Sequence, residues 1–289
     1  MSTEREIDPH SGIETTGHEW DGIKELNHPL PRWWLWVWYA CILFSIGYWV
    51  AYPAWPMLKG YTHGMLGYSQ RQIVGDEIKT ARAAQTKFIE AIRSNGLADV
   101  QKDPELLTFA LTGGRIAFLN NCAGCHGRNA TGAIGYPNLA ADRWLWGGKL
   151  EDIYKTIRVG VRSTSKDTRQ NQMPHFGTDK ILDPAQINDV TEFVLSLSSR
   201  SQDEAAALRG KALFADNCVA CHGPQGKGNF ELGAPDLTTK IWLYGSRKED
   251  IAHSIEIGHA GVMPTWEGRL DDATIKELAL YVHSLGGGQ

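Results

Sequence analysis

Two five-residue segments decide how this chain folds: Cys122-Ala-Gly-Cys125-His126 and Cys218-Val-Ala-Cys221-His222. The C-x-x-C-H spacing is the signature of covalent c-type haem attachment. In such a pentad the two cysteines form thioethers with the haem vinyl groups, and the adjacent histidine becomes an axial ligand of the iron. Because the pentad occurs twice in similar surroundings, the sequence predicts two covalently bound haem c groups, each held by two cysteines and one histidine.

The sixth ligand of each iron separates electron carriers from enzymes and sensors. A carrier fills this position, often with methionine, whereas an enzyme or gas sensor leaves it open. Of the five methionines, only Met173 and Met263 follow the first pentad, and each stands directly before a proline. Since each pentad then has one methionine in its own part of the chain, we expect the axial pairs His126–Met173 and His222–Met263.

The same residue types admit other uses. Two C-x-x-C pairs can form a four-cysteine zinc site, although the long gap between the pairs and the histidine after each favour haem. Methionines can also serve only to fill gaps in a core. His253 and His259 lie close to Met263 in the sequence and compete with it as candidate ligands of the second iron.

The region around each pentad is a copy of the other. Residues 114–197 align with 210–285, with Trp144-Leu-Trp-Gly matching Trp242-Leu-Tyr-Gly. The sequence predicts three helices in each copy, and apolar residues at helical spacing indicate the last of them. We therefore expect one domain over residues 112–200 and another over 201–289, joined by a linker at 198–202. The predicted helices lie near 113–120, 150–159 and 184–197, and near 205–216, 248–257 and 272–285.

The N-terminal part carries a candidate membrane anchor. Residues 33–55 contain no charged side chain and six of the eleven tryptophans, which is typical of one membrane span with interfacial aromatics. A cleaved signal peptide is the alternative, but about thirty mostly polar residues precede the segment. The flanking Lys and Arg residues do not decide the orientation. Because bacterial haem c attachment occurs outside the cytoplasmic membrane, we expect residues 1–32 in the cytoplasm and 56–289 in the periplasm.

The segments on either side of the anchor are less specific. Residues 1–32 are polar and acidic, and we expect them to be loosely ordered. Residues 56–111 form a connector, in which the composition of residues 73–95 predicts a helix that either docks on a partner or acts as a spacer. The net charge of −4 and the lack of a basic stripe give no indication of nucleic-acid binding.

The whole chain resembles subunit III of cbb3-type cytochrome c oxidases. The motifs that carry the resemblance are Pro29-Leu-Pro-Arg-Trp-Trp-Leu-Trp36, Asn121-Cys-Ala-Gly-Cys-His-Gly127, Tyr136-Pro-Asn-Leu139, Asn171-Gln-Met-Pro174, Gly233-Ala-Pro-Asp-Leu237, Gly261-Val-Met-Pro264 and Tyr281-Val-His-Ser-Leu-Gly-Gly-Gly288. The resemblance implies a mainly α fold, with a single N-terminal transmembrane helix followed by two tandem class I cytochrome c-like domains. In such a domain the first and last helices cross.

The resemblance also implies contacts around each haem. The carbonyl oxygens of Pro137 and Pro235 would accept a hydrogen bond from the axial histidines, which fixes the ring; ordinary loop prolines are the alternative. The indole N–H groups of Trp144 and Trp242 would reach haem propionates, unless these rings serve only in packing.

The function implied by the resemblance is electron transfer. The subunit would accept electrons from a donor cytochrome c and pass them to the single haem of subunit II. From there they reach the haem–copper centre of subunit I, where oxygen is reduced. This chain would then contain no catalytic residue, and its partners would be subunits I and II, the donor and membrane lipid. A free-standing tethered dihaem carrier and a dihaem peroxidase or sensor remain the alternatives.

Overall fold

The structure is a computed structural model that describes residues 5–286, and the chain divides into two compact units after Arg82. The fold is mainly α, as predicted. The elements of the first unit are the strands β1 (Thr15–Trp20) and β2 (Ile23–Leu26), the helix α1 (Arg32–Ala51), the strands β3 (Pro56–Met57) and β4 (Gly60–Tyr61), and the start of the helix α2 (Gln70–Ser94).

The N-terminal segment is more ordered than its composition suggests. Strands β1 and β2 pair antiparallel, with Trp20 opposite Ile23, and Thr15 is buried. The expectation that residues 1–32 are loosely ordered is therefore wrong for this hairpin. Backbone pairing between two short segments supplies local order even where few apolar side chains are available.

Helix α1 is the candidate membrane anchor. It is long and apolar enough to cross a bilayer, and none of its side chains is buried. It ends at Ala51, four residues before the predicted span ends, because Pro53 restricts the residue before it to extended conformations. The backbone amides of Met65 and Leu66 donate to the last carbonyls of the helix, at Val50 (2.9 Å) and Ala51 (3.1 Å).

The second unit contains the rest of the helices and both pentads. Helices α6 and α10 have the predicted bounds, α7, α8 and α11 agree with the prediction within one turn, and α4 begins earlier than predicted. The elements are α3 (Leu97–Lys102), α4 (Pro104–Asn121), α5 (Ala123–His126), α6 (Leu150–Val159), α7 (Pro184–Ser196), α8 (Glu204–Asn217), α9 (Val219–His222), α10 (Lys248–Ile257) and α11 (Asp272–Ser284).

The two copies exchange their last helices. Helix α4 packs against α11, and α8 packs against α7. Both crossings are close: a side chain at Gly114 would overlap the backbone of Glu277, and one at Gly210 would overlap the backbone of Asp189. The expectation that the first and last helices of the same copy cross is therefore wrong. The boundaries 112–200 and 201–289 describe repeats of sequence, whereas each packed half combines parts of both.

The connection between α7 and α8 explains the exchange. Only residues 197–203 separate these helices, and a loop of this length favours an antiparallel helical hairpin. The carboxylate of Glu192 fixes the loop, because it accepts hydrogen bonds from the Ser201 hydroxyl (2.7 Å) and the Gln202 amide (3.0 Å). The predicted linker is thus a braced turn within one half of the unit.

The connector contributes to the other half. Ile92 at the end of α2 is buried with Leu97 and Val100 of α3 in the apolar cluster that contains α4 and α11. The ammonium group of Lys276 on α11 caps the end of α2 by donating to the carbonyls of Arg93 (2.8 Å) and Asn95 (2.8 Å). The C-terminal turn of the predicted connector helix is therefore part of the core of the α4/α11 half.

Candidate haem sites

The second pentad opens into a large apolar cavity. The cavity is lined mainly by apolar side chains and is partly open to solvent. Its lining residues include those that sequence reasoning assigned to haem attachment, together with the axial-ligand candidate from the first repeat: Cys218, Cys221, His222, Pro235, Trp242 and Met173. The second half thus has an apolar space directly beside two thiols and an imidazole.

The histidine of each pentad is fixed by a proline carbonyl. The Nδ1 atom of His126 lies 3.0 Å from the carbonyl oxygen of Pro137, and Nδ1 of His222 lies 3.0 Å from that of Pro235. These are the contacts that the resemblance implied. A histidine whose Nδ1 is bonded in this way presents Nε2 as the atom that is free to bind iron.

Burial sets the protonation of the ligand groups. Burial lowers the pKa of His126 and His222, and the hydrogen bond to the proline carbonyl only partly opposes this shift. Burial also raises the pKa of Cys122 to about 11 and that of Cys218 to about 12, with a smaller contribution from the second cysteine of each pentad. The histidines are therefore neutral, as an iron ligand must be, and the unattached thiols are protonated.

The methionines lie in the opposite halves from those predicted. Met173 lines the cavity of the second pentad and packs against the same buried cluster as Cys218. Met263 packs against the buried cluster of α4 and α11, together with Cys122 and Trp144. The structure therefore does not bring together the predicted pairs His126–Met173 and His222–Met263, because the chain crosses to the other half between α6 and Met173 and again between α10 and Met263.

The two tryptophans differ in their contacts. The indole N–H of Trp242 donates to the carbonyl of Thr239 (2.8 Å), and its bond to a propionate stays a prediction. The ring of Trp242 lines the second cavity. Trp144 packs against the buried cluster of the first pentad, and its bond to a propionate stays a prediction.

The histidines near Met263 also separate. His253 lies on α10 with its Nδ1 3.8 Å from a carboxylate oxygen of Glu256. His259 lines the second cavity and stacks on Tyr244, with ring centroids 3.4 Å apart. Its Nε2 is buried and has no hydrogen-bond partner in the part of the chain that is described. His259 is thus a group of the second site, next to Met173 rather than Met263.

These features fit a covalently attached haem. The apolar cavity contains two thiols, one thioether and a neutral imidazole that a carbonyl holds in place. The buried Nε2 of His259 lacks a hydrogen-bond partner, which a polar group on a ligand would supply. A four-cysteine zinc site does not fit, since Cys122 and Cys218 belong to separate buried clusters.

Sequence reasoning missed the residues where the two halves meet. Asn171 donates from its side chain to the carbonyl of Leu232 (2.6 Å), and the ring of Trp146 lies against Gly233. Arg162 lies in the cavity wall of the second pentad although it belongs to the first repeat. The sequence contains one sign that the two repeats differ at this contact: the segment between Gly160 and Met173 is longer than its counterpart between Gly258 and Met263.

Comparison with known proteins covers nearly the whole chain. Residues 12–59 match the family model of the N-terminal domain of cytochrome oxidase-cbb3, FixP. Residues 111–198 match the cytochrome c family, and 205–282 match cytochrome c oxidase, cbb3-type, subunit III.

Several relatives are similar over their full length. The cbb3-type cytochrome c oxidase subunit CcoP of Azospirillum brasilense is 52% identical over 293 residues, which is 99% of each chain. Subunit FixP of Bradyrhizobium sp. (strain ORS 278) is 52% identical over 292 residues, with 100% of both chains covered. Subunit CcoP of Cereibacter sphaeroides is 45% identical over 276 residues, which is 95% of each chain.

The fold and the sites define a membrane-anchored c-type cytochrome with two cytochrome c regions in tandem. Such proteins carry covalently bound c-type haem and transfer electrons. The chain belongs to the CcoP/FixP family, subunit III of the cbb3-type cytochrome c oxidases. It is an electron-transfer subunit of an oxidase complex, and the predicted family and function are confirmed.

Proposed function

We propose that this chain holds two haem c groups and that each iron takes its two axial ligands from different repeats. The pairs are His126 with Met263, and His222 with Met173. The observation that carries this assignment is the position of Met173 in the wall of the second cavity, beside the pentad of the other repeat. Cys122 and Cys125 would attach one haem, and Cys218 and Cys221 the other.

The protein around each site favours fast electron exchange without ligand binding. Bound haem supplies a centre for one-electron oxidation and reduction. A methionine thioether is a soft ligand that favours the reduced iron and raises the reduction potential. Because a histidine and a methionine would both bind each iron, neither site would admit oxygen or peroxide. The carbonyls of Pro137 and Pro235 hold the two imidazoles in place.

The place of the chain in the oxidase is proposed from its membership of the family. We propose that the second unit lies in the periplasm, where it accepts electrons from a donor cytochrome c. It passes them to the monohaem subunit II and so to subunit I, which contains the haem–copper centre. Helix α1 anchors the chain in the cytoplasmic membrane, with residues 1–32 on the cytoplasmic side.

The axial pairing can be tested with single-haem variants of the full chain. Replacing Cys122 and Cys125 with Ala leaves only the haem of the second pentad. In this background Met173→Ala should open the iron to carbon monoxide, whereas Met263→Ala should not. The opposite result would restore the pairing within each repeat. An iron that stays six-coordinate in the Met173→Ala variant would instead indicate His259 as the ligand.

The role in the complex needs a separate test. Membranes solubilised in mild detergent are run on a native gel that is stained for haem and for oxidase activity. We expect this chain in a large oxidase-active band that contains haem b and copper. Migration as a small dihaem species would indicate a free-standing tethered carrier, and avid carbon monoxide binding by the wild-type chain would indicate a peroxidase or sensor.

A further inference from the structure

The segments that carry the two methionines pair with each other. We define the first methionine loop as residues 160–174 and the second as residues 258–264. The amide of Met173 donates to the carbonyl of His259 (3.0 Å), whose amide donates back (3.2 Å). The amides of Met263 and Val161 exchange the same two bonds, each at 3.0 Å. Each methionine is therefore held by the backbone of the other loop.

One arginine side chain joins the two loops. The Nε–H of Arg162 donates to the carbonyl of Gly261 (2.6 Å), and an Nη1–H donates to the carbonyl of Asn171. Gly261 lies two residues before Met263, and Asn171 lies two residues before Met173. The planar guanidinium, with five N–H donors in a fixed fork, thus binds the equivalent carbonyl in each loop.

The backbone at this arginine is unusual. Arg162 has a φ of 48°, in the left-handed region that non-glycine residues seldom occupy. Its amide donates to the carbonyl of Arg169 (2.9 Å), which holds the residue in this conformation. Surrounding contacts thus keep the side chain at the junction despite the cost of the backbone conformation.

The contact between the two methionine loops contains Arg162 from the first repeat but no equivalent arginine from the second. Since Gly160 aligns with Gly258, Arg162 aligns with Ala260, whose side chain cannot donate a hydrogen bond. A symmetric pair of repeats would use one clamp for each loop. In this chain a single side chain serves both loops, so its removal should disturb both methionines together.

We propose that Arg162 is a positioning residue for both axial methionines, and that it couples the stability of the methionine–iron bond at one haem to that at the other. The proposal rests on the proposed function in one respect, namely that Met173 and Met263 are iron ligands. The described hydrogen bonds of the Arg162 side chain go to backbone carbonyls of the two loops. It holds the two carbonyls that set the path of each loop toward its methionine.

The test uses the full-length, haem-loaded chain in detergent, in two marked backgrounds. Met173→His converts one iron to two histidine ligands, so the methionine–iron band at the red end of the visible spectrum reports only the Met263 site. Met263→His leaves only the Met173 site. In both backgrounds Arg162→Ala should weaken the remaining band and raise the carbon monoxide-reactive fraction about tenfold, the size expected for loss of one charged hydrogen bond.

Conservative and matched variants separate positioning from general damage. Arg162→Lys should have a smaller effect than Arg162→Ala, because an ammonium group donates to one carbonyl but does not span both. Arg162→Gln replaces Arg162→Ala as the test variant if the alanine variant does not retain haem. Arg115→Ala removes an exposed arginine on α4 and should change neither the band nor the reaction with carbon monoxide.

The outcomes are distinct. An unchanged band and unchanged reactivity in both backgrounds would overturn the proposal, and an effect in one background alone would refute a shared role. A wild-type band that neither Met173→His nor Met263→His weakens would contradict the ligand assignment itself, and the positioning role would fall with it.

Discussion

The two helix crossings place a carboxylate at the same position but surround it differently. At the crossing of α7 and α8, Asp189 forms a two-pronged salt bridge with Arg209 (2.8 and 2.7 Å). At the crossing of α4 and α11, the equivalent Glu277 lies over Gly113, which stands where the other half has the arginine. Among the described residues Glu277 has no ion-pair partner. One fold position thus holds a compensated acid in one half and an uncompensated acid in the other.

A second difference lies three residues further along the same helices. Glu192 on α7 is fully buried, whereas its counterpart on α11 is Leu280. Burial opposes the ionisation of Glu192, but hydrogen bonds from Lys248, Ser201 and two backbone amides outweigh it and lower its pKa to about 2. The α7/α8 half is therefore held by polar bonds at the point where the α4/α11 half is held by apolar packing.

The largest effect is expected from giving the α7/α8 half the residue of its counterpart. Glu192→Leu should lower the free energy of unfolding by about 3–5 kcal/mol, because the Ser201 hydroxyl and the amides of Gln202 and Asp203 lose their acceptor, at about 1–3 kcal/mol for each buried group. Denaturant unfolding of the full chain in detergent would measure the change. Leu280→Ile is the control for altered apolar shape, and a loss no greater than that of the control would contradict this account.

The closeness of the two crossings gives a second prediction. Gly210→Ala should destabilise the α7/α8 half by about 3 kcal/mol or more, because the new Cβ overlaps the backbone of α7 and neither helix can move without disturbing the core. Gly114→Ala should cost a similar amount at the other crossing. The thermal midpoint of the haem-loaded chain would report both changes.

A matched control is available in helix α2. Gly75 lies in a helix with open space around its Cα, so Gly75→Ala removes a glycine without a clash. This variant should be neutral or more stable by about 0.5–1 kcal/mol. Equal effects of Gly75→Ala and Gly210→Ala would mean that the crossing of α7 and α8 is looser than described.

The sequence is sufficient to predict the helices but not their partners. The apolar stripe of α7, with Ile187 and Val190, is almost the same as that of α11, with Ile275 and Leu278. The apolar periodicity identifies the face that each helix buries. Either apolar stripe could pack against Gly114 of α4 or against Gly210 of α8. Which helix pairs with which depends on the short 197–203 loop and on Glu192, which hold α7 and α8 in a hairpin.

The candidate site likewise has features that the sequence predicts and features that it does not. The pentads, the two methionines and the proline carbonyls follow from local spacing and from family resemblance, and the structure places all of them at the two sites. The pairing of methionine with pentad depends on how the chain crosses between halves, which local sequence does not specify. The role of Arg162 depends on that crossing as well, since its two acceptors come from different loops.

The most specific effect concerns the uncompensated acid. Burial, with a smaller contribution from the negative charge of Asp271, raises the pKa of Glu277 to about 7 from its ordinary value of 4.5. A raised pKa means that the folded chain binds this proton more tightly than the unfolded chain. The stability of the wild type should therefore be greatest below about pH 4.5, as far as this group is concerned, and should fall as pH rises through 7.

Glu277→Gln removes this dependence. The variant should gain up to about 3 kcal/mol over the wild type above pH 7 and little below pH 5, since each pKa unit corresponds to about 1.4 kcal/mol. Asp189→Asn should act in the opposite direction at neutral pH, because it leaves Arg209 without its carboxylate. The difference between wild-type and variant thermal midpoints, measured from pH 5 to about pH 8, isolates the contribution of Glu277. A constant difference across this range would show that Glu277 does not titrate there, and that the two crossings differ in sequence but not in electrostatic free energy.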